Sequence, residues 1–250
     1  MNKAIDIKDL SLIYQTKDTE VEAIKNISFS AYFGEFIGIV GPSGCGKSTL
    51  LSCVAGLIKP TGGEVILSDG IHSVGYMLQK DYLFPWRTIY QNVLLGLEIK
   101  KAKTKESLEN IDHLLNTYGL WDFRNSYPDE ISGGMRQRCA LIRTLATNPE
   151  VLLLDEAFSA LDYQTRLAVA DDIYSIIRKE KKTVLMVTHD ISECISLSDR
   201  VIVLSSRPAV VKSEYKITFG ENDLSPLKKR DTEEFPVYFN QIWRDIDVHV

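Results

Sequence analysis

Nine consecutive residues, Gly41-Pro42-Ser43-Gly44-Cys45-Gly46-Lys47-Ser48-Thr49, fit the pattern G-x-x-x-x-G-K-[ST]. Residues of these types at this spacing wrap a nucleotide's phosphates. Glycines at 41, 44 and 46 admit backbone conformations that a side chain forbids, and successive N–H groups then turn toward phosphate oxygens. Lys47 brings a cation to the β- and γ-phosphates. Ser48 is placed to ligate Mg²⁺, and Thr49 to hydrogen-bond a phosphate. The flanks agree. Phe36 to Val40 is apolar enough for a buried parallel strand, and Thr49 to Leu57 reads as a helix, so the phosphates meet a helix N-terminus.

A phosphate loop alone leaves kinases, GTPases and many ATPases open. The run Val151 to Glu156, VLLLDE, narrows the choice. A buried strand there delivers Asp155 at its C-terminal end, where open α/β sheets bind ligands. Asp155 can hold the Mg²⁺ shell through water, and Glu156 can polarise an attacking water. Gln79 ends another apolar strand and is a candidate for Mg²⁺ and the attacking water. His189 follows the strand Thr183 to Thr188 and is a candidate partner of the γ-phosphate. Tyr14 is a candidate to stack on the adenine. Ser132-Gly133-Gly134 opens a second helix and forms a second anion-binding N-terminus. Two such sites from one chain do not readily wrap one nucleotide. A head-to-tail dimer solves this, with Ser132, Gly133 and Gly134 of one copy covering the γ-phosphate held by the other.

These residues must be positioned by an α/β core. Ala4 to Tyr14 and Glu22 to Tyr32 read as strands joined by polar turn material at Thr16 to Glu20. Gly62-Gly63 turns into a strand at Glu64 to Ser68, and Ser73 to Gln79 is a further strand. Helical spacing begins after Pro85, over Tyr90 to Leu97, Lys105 to Tyr118 and Gly134 to Thr147, and Pro149 stops it. Strands at Val151 to Leu154 and Thr183 to Val187 enclose a helix from Tyr163 to Lys179. The expected division is a nucleotide-binding α/β core at 1–84 and 149–215, a helical subdomain at 85–148, and an extension at 216–250. In that extension Phe235, Tyr238, Phe239, Ile242, Trp243 and Ile246 share a helical face, expected to pack on the protein's own core, with Asp231 and Glu234 capping its start.

Composition excludes several classes. The chain is 44% hydrophobic and 25% charged, an ordinary globular balance. No apolar stretch reaches membrane-spanning length, and Met1-Asn2-Lys3-Ala4 opens no signal-peptide pattern. A net charge of −5 with short, separated Lys/Arg clusters argues against nucleic acid as a partner. Cys45, Cys53, Cys139 and Cys194 lack metal-ligand spacing and read as reduced thiols. Because Cys45 lies in the phosphate loop, a thiol reagent there is expected to block nucleotide binding.

With these residues in place, the chain resembles the ATPase subunits of ABC transporters over nearly its whole length. Gly41 to Thr49 matches their Walker A motif and Val151 to Glu156 their Walker B. Ser132 to Met135 matches the signature, with Ile131 where Leu is usual and Met135 where Gln is usual. Gln79 matches the Q-loop, Ser159 to Asp162 the D-loop, His189 the switch histidine and Tyr14 the adenine-stacking aromatic. The resemblance implies a P-loop NTPase (RecA-like) core with an N-terminal antiparallel β subdomain and an inserted α-helical subdomain. It implies a sandwich dimer in which Lys47, Ser48 and Gln79 face the partner's signature across ATP and Mg²⁺. It also implies a membrane permease as partner, indirectly a solute-binding protein, and a peripheral position on the cytoplasmic face of the membrane.

Leu83-Phe84-Pro85-Trp86-Arg87-Thr88 with Asn92-Val93, and Gly133 to Arg138, are similar to the importers of nitrate, sulfonates, taurine and pyrimidine vitamin precursors. In the family, Phe84, Pro85 and Trp86 line the groove that meets the permease. The competing classes are a soluble ABC-type ATPase of translation or DNA repair, an exporter-associated ATPase, and a binding module without catalysis, which would lack Glu156 or His189.

Overall fold

The computed structural model describes residues 2–15, 19–159, 162–220 and 224–246. In chain order the strands are β1 (Lys3–Gln15), β2 (Glu20–Tyr32), β3 (Phe36–Val40), β4 (Gly62–Leu67), β5 (Val74–Met77), β6 (Val151–Asp155), β7 (Thr183–Val187), β8 (Arg200–Leu204) and β9 (Val211–Lys216). The helices are α1 (Lys47–Val54), α2 (Ile89–Ile99), α3 (Lys105–Thr117), α4 (Gly133–Leu145), α5 (Tyr163–Lys179), α6 (Ile191–Leu197), α7 (Pro226–Lys229) and α8 (Glu234–Ile246).

β3, β6 and β7 are buried at every position. Continuous apolar runs such as FIGIV, VLLLD and TVLMV are what a parallel sheet covered on both faces requires. They sit in a six-stranded sheet of order β5-β6-β7-β3-β8-β9, parallel except for the edge strand β9. Register sets the level of the strand ends. Ile39 pairs with Val187, Val187 with Asp155, and Leu154 with Met77. The loops after β3, β5, β6 and β7 therefore emerge side by side at one sheet edge. β1, β2 and β4 make a separate antiparallel sheet of order β2-β1-β4, whose buried Ile5, Ile7, Leu10, Ile24 and Ile27 pack with α1 on the larger sheet.

Between β5 and β6 the chain is helical. Thr88 caps α2 with a reciprocal bond to Gln91, Thr104 does the same for α3 with Ser107, and Ser132 caps α4. Their inner faces, with Val93, Leu97, Ile111, Leu115, Leu141 and Ile142, close one core with β6 and β7 residues. Among the described residues no helix is long and apolar enough to cross a membrane.

The expected elements are present with shifted ends, since tertiary contacts decide the last turn. α1 begins at Lys47 because Gly46 (φ 126°) is its cap, and it ends before Gly56 (φ 70°). β8, β9 and α6 lie beyond the elements read from the sequence. The turn expected at Thr16 to Glu20 falls partly outside the described residues. α8 does pack inward, with Phe235 and Ile242 buried beside Ile191, Ile195 and Val203, while Trp243 stacks on Phe239 at the surface. Its start differs from expectation: the Glu234 carboxylate accepts the Gly220 N–H, which ties the helix to the preceding loop.

α6 lies so close to β3 that a Cβ on Gly38 would stand 2.1 Å from Cys194 Sγ and 2.4 Å from Ser198 Oγ. Gly38→Ala is expected to cost about 1–3 kcal/mol through overpacking. In a thermal melt without nucleotide this lowers Tm by roughly 2–4 °C per kcal/mol, and Cys194→Ala in the same chain recovers part of it.

Candidate active site

The loop 41–46 carries β3 into α1 along a path that only glycine allows at its bends. Gly44 and Gly46 have φ of 71° and 126°. A Cβ on Gly41 would meet the Leu204 carbonyl at 2.8 Å, and one on Gly46 the Ala23 carbonyl at 2.9 Å. No side chain caps α1, so its first N–H groups keep their donor capacity for an anion. Lys47 is only 6% exposed, and its ammonium donates to the carbonyls of Gly41 (2.8 Å) and Pro42 (3.0 Å) across its own loop. Pro42 O also accepts the Cys45 N–H, while Ser43 and Gly44 stand exposed at the crown.

Ser48 Oγ donates to Asp155 Oδ1 at 2.9 Å, and Tyr76 donates to Oδ2 at 3.2 Å. Burial lifts the Asp155 carboxyl above its ordinary range, against the hydrogen bonds from Ser48 and Tyr76 that favour the anion. Burial also pushes Tyr76 up to about 12, which keeps it a donor. The Ser48 and Asp155 oxygens make a small hard-donor pair of the kind Mg²⁺ takes when phosphates and water fill its remaining positions. Thr49 Oγ1 lies 3.2 Å from the hydroxyl of the half-exposed Tyr14.

Glu156 follows Asp155 in a left-handed conformation (φ 46°), with its N–H on Val187 O at 2.8 Å. One carboxylate oxygen, Oε2, accepts from Gln79 Nε2 at 2.8 Å and lies 3.3 Å from His189 Nδ1. Three predicted residues from the ends of β5, β6 and β7 thus converge on one oxygen. The contact of Gln79 is with Glu156, not with the Ser48–Asp155 pair expected to share a metal with it.

His189 is framed from behind by Thr188, where the strand read from the sequence ends, and by Asp190 and Glu193, which the sequence reading does not single out. Thr188 is buried, and its N–H donates to Ile39 O. Its hydroxyl bonds Glu193 Oε2 at 2.5 Å and accepts the Asp190 N–H at 3.1 Å, while Asp190 Oδ1 accepts the Glu193 N–H. Desolvation pushes the Glu193 carboxyl up to about 7. Thr188, Arg166 and Arg230 oppose that rise and Asp190 adds to it.

The signature residues lie elsewhere. Ser132 Oγ accepts the Met135 N–H, and Ser132, Gly133, Gly134 and Met135 line a cavity of about 340 Å³ with Arg138, Asp162 and Thr165. No residue of the loop 41–49 lines it. Asp162 caps α5 through Thr165 N–H at 3.0 Å; Ala160 and Leu161 of the D-loop reading lie outside the described residues. The helix behind the signature is nevertheless tied to the segments that follow Gln79 and Glu156. Gln137 donates to Ala157 O, Arg136 pairs with Asp81 at 3.2 Å, and Arg143 donates to the carbonyls of Asp81 and Tyr82. Fully buried Asn92 bonds the backbone of Phe84, Arg87 and Thr88, and the turn it holds presents Trp86, 70% exposed, 5.0 Å from the Phe84 ring.

Cys45 is 1% exposed, and burial raises its thiol above the ordinary cysteine range. A buried neutral thiol reacts slowly, so the expected block by a thiol reagent would develop slowly in this conformation.

The family profile described as ABC transporter matches residues 24–159. The chain is 45% identical to the uncharacterized ABC transporter ATP-binding protein YtlC of Bacillus subtilis, over 90% of this chain and 88% of that one. It is 40% identical to the nitrate import ATP-binding protein NrtD of Synechocystis, over 92% and 91%. It is 36% identical to the taurine import ATP-binding protein TauB of Roseobacter denitrificans, over 90% and 88%. Among solved structures, the dimeric bacterial ABC transporter cassette MJ0796 superposes with TM-score 0.75 at 33% identity, over 86% of this chain and 99% of that one.

The placement of Glu193 predicts a pH dependence with a definite sign. A carboxyl raised in the folded state favours folding below its unfolded value near 4.5, and that contribution is lost as pH climbs toward about 7. Arg166 from α5, Arg230 beyond α7 and Asp190 are the charged neighbours that set the balance. Glu193→Gln stays neutral throughout. Melts from pH 5 to 8 are expected to show the variant's Tm rising relative to the parent's; a constant difference would show that Glu193 titrates normally.

Proposed function

The chain belongs to the ABC transporter family, and on that premise we propose that it energises the import of a small solute of the nitrate, sulfonate, taurine or vitamin-precursor class. It is an ATP-binding ATPase. The observation that carries the hydrolytic reading is the convergence of Gln79, Glu156 and His189 on one carboxylate oxygen beside the phosphate loop. In this reading the Lys47 ammonium exchanges its loop carbonyls for the β- and γ-phosphate oxygens. Backbone N–H groups of 44–49 hold the remaining phosphate charge, and Tyr14 stacks on the adenine. Ser48 and Asp155 would hold Mg²⁺, which when bound neutralises phosphate charge, and Gln79 would join them by exchanging Glu156 for the metal. Glu156 orients and polarises the attacking water, and His189 hydrogen-bonds the γ-phosphate.

Two copies enclose two ATP molecules. Ser132, Gly133 and Gly134 of each copy cover the γ-phosphate on the other, with Asp162 at the seam. The separation of the signature cavity from the phosphate loop supports this, as does the dimeric MJ0796 cassette. The working division remains a core of 1–84 and 149–215, a helical subdomain of 85–148 and an extension of 216–250. The exposed Trp86 turn is the docking point for a membrane permease, which puts the protein on the cytoplasmic face as a peripheral subunit. Relatives named for nitrate and taurine import support the solute class.

Glu156→Gln is expected to retain ATP binding while hydrolysis falls by roughly 10²–10⁴-fold, and to accumulate an ATP-bound dimer on size-exclusion chromatography. Hydrolysis at the parent rate would remove Glu156 from the mechanism. Trp86→Ala is expected to keep ATP affinity and to reduce recovery of a multi-span permease with the tagged chain from native membranes in mild detergent. Equal recovery would move the docking point elsewhere.

A further inference from the structure

The phosphate loop does not stand free; a hairpin lies behind it. The missing Cβ of Gly41 faces Leu204 at the end of β8 and that of Gly44 faces Arg207 in the β8–β9 connection, while that of Gly46 stands closest to Ala23 O of β2, with Ala209 beyond it. Leu204 O lies 2.8 Å from the Gly41 position, Arg207 Nη2 3.5 Å from the Gly44 position, and Ala209 Cβ 3.7 Å from the Gly46 position. The hairpin is itself stiff. The Ser205 N–H donates to Val210 O at 3.0 Å, and Ser205 Oγ accepts the Val210 N–H at 3.0 Å. Its tip is sewn to β2, with Ala209 N–H on Ala23 O and Lys25 N–H on Ala209 O, both at 3.0 Å.

From this platform Arg207 reaches over the loop. Its Nε and Nη2 donate to one acceptor, the Gly44 carbonyl, at 3.3 and 3.0 Å. Among the described residues the guanidinium forms no ion pair, so its charge is given to the loop. The Gly44–Cys45 peptide is one of two that link Gly44 to Gly46, whose φ values are both positive, and it is the one whose carbonyl Arg207 holds. In a trans peptide the C=O and the next N–H point in opposite directions. Fixing Gly44 O outward therefore turns the Cys45 N–H inward, where it already donates to Pro42 O at 3.3 Å. A charge-assisted bond on the carbonyl also polarises the peptide and strengthens its N–H as a donor.

We infer that Arg207 is a positioning residue for ATP: it acts through the Gly44 carbonyl to preset a phosphate-binding N–H of the loop and adds a second cation behind Lys47. The inference rests on the reading of residues 41–49 as the ATP phosphate loop.

The test is Arg207→Ala and Arg207→Lys in the full chain, with Lys47→Ala alongside, read by ATP titration, steady-state hydrolysis and thermal melting without nucleotide. Arg207 is exposed, and an exposed charge adds little to stability, so the melts should coincide. Arg207→Ala is expected to raise Kd and KM for ATP about tenfold, the scale of one charge-assisted hydrogen bond, with kcat within about twofold. Arg207→Lys, which keeps the charge and one donor, should recover part of the loss. Unchanged affinity in Arg207→Ala overturns the inference. So does a melt lowered in both Arg207 variants with kcat and KM falling together, since that is a structural effect. If Lys47→Ala binds ATP like the parent, the phosphate-loop reading itself fails; if it loses binding while Arg207→Ala does not, only the role of Arg207 fails.

Discussion

Register between buried parallel strands is the constraint on which the rest depends. Ile39, Val187 and Asp155 form one row across β3, β7 and β6, and Met77 on β5 pairs with Leu154 just behind it. A one-residue slip would turn every side chain of a strand to the other face. With both faces buried, such a slip would exchange the side chains that fill two different cores. The register is therefore held by the hydrophobic effect over the whole sheet, not by the polar groups at its edge. Those groups inherit their level. The phosphate loop begins two residues past Ile39, Glu156 follows Asp155, His189 stands two past Val187 and Gln79 two past Met77. Four segments distant in sequence reach one place because these short, buried parallel strands cannot slide.

What arrives there is then trimmed by local polar chemistry. The acids Asp155 and Glu156 are adjacent in sequence but receive different partners. Asp155 faces Ser48 and Tyr76 in a desolvated setting, while Glu156 turns through a positive φ toward Gln79 and His189. Consecutive residues in an extended strand point to opposite faces. The left-handed conformation at Glu156 breaks that alternation at the strand's last step, and the Val187 carbonyl accepting its N–H holds the break in place.

Much of this is legible in the sequence, and the rest is hidden for identifiable reasons. The runs FIGIV, VLLLD and TVLMV read as buried strands because runs of four or five mostly apolar residues are too short for a buried helix and suit a strand covered on both faces. Val201 to Leu204 carries the same signal in β8 and needs only the same rule. Its edge partner β9, VKSEYK, is half exposed and rich in charge, so its pairing is fixed by β8 alone. The phosphate loop and the acid pair stand out in the sequence by residue type and spacing, and the histidine at a strand end stands out only beside them. Tyr76 and Glu193 are not. A tyrosine 79 residues from Asp155 becomes its donor only through strand order, and a glutamate on a seven-residue helix becomes a buried neighbour of Thr188 only because α6 presses against β3 at Gly38. The burial of Cys45 is of the same kind: the loop pattern places it in the glycine-rich run, but tertiary packing puts its side chain in the core that also holds Leu204 and Ala209.

The two glycine-rich helix starts differ in what requires the glycines, and that difference bears on the proposed assembly. In the loop 41–46, this chain's own atoms fill the space a Cβ would need: Leu204 O, Ala23 O and the Ala209 side chain. Those glycines are explained by the fold of one molecule. A Cβ on Gly133 would meet nothing closer than 3.7 Å, and that contact is the Arg136 side chain of its own helix. The monomer does not demand glycine there, and glycine in a helix costs stability relative to alanine. A small, exposed residue at a helix start, lining a cavity that the phosphate loop does not share, is what close approach by a second molecule's anion would require. The proposed head-to-tail dimer supplies that anion, the γ-phosphate on the partner. It also gives Arg136 and Arg143 a consequence, because the same helix that would meet the partner's nucleotide grips the segment after Gln79. A displacement of α4 would move that segment with it, and with it the turn that carries Trp86.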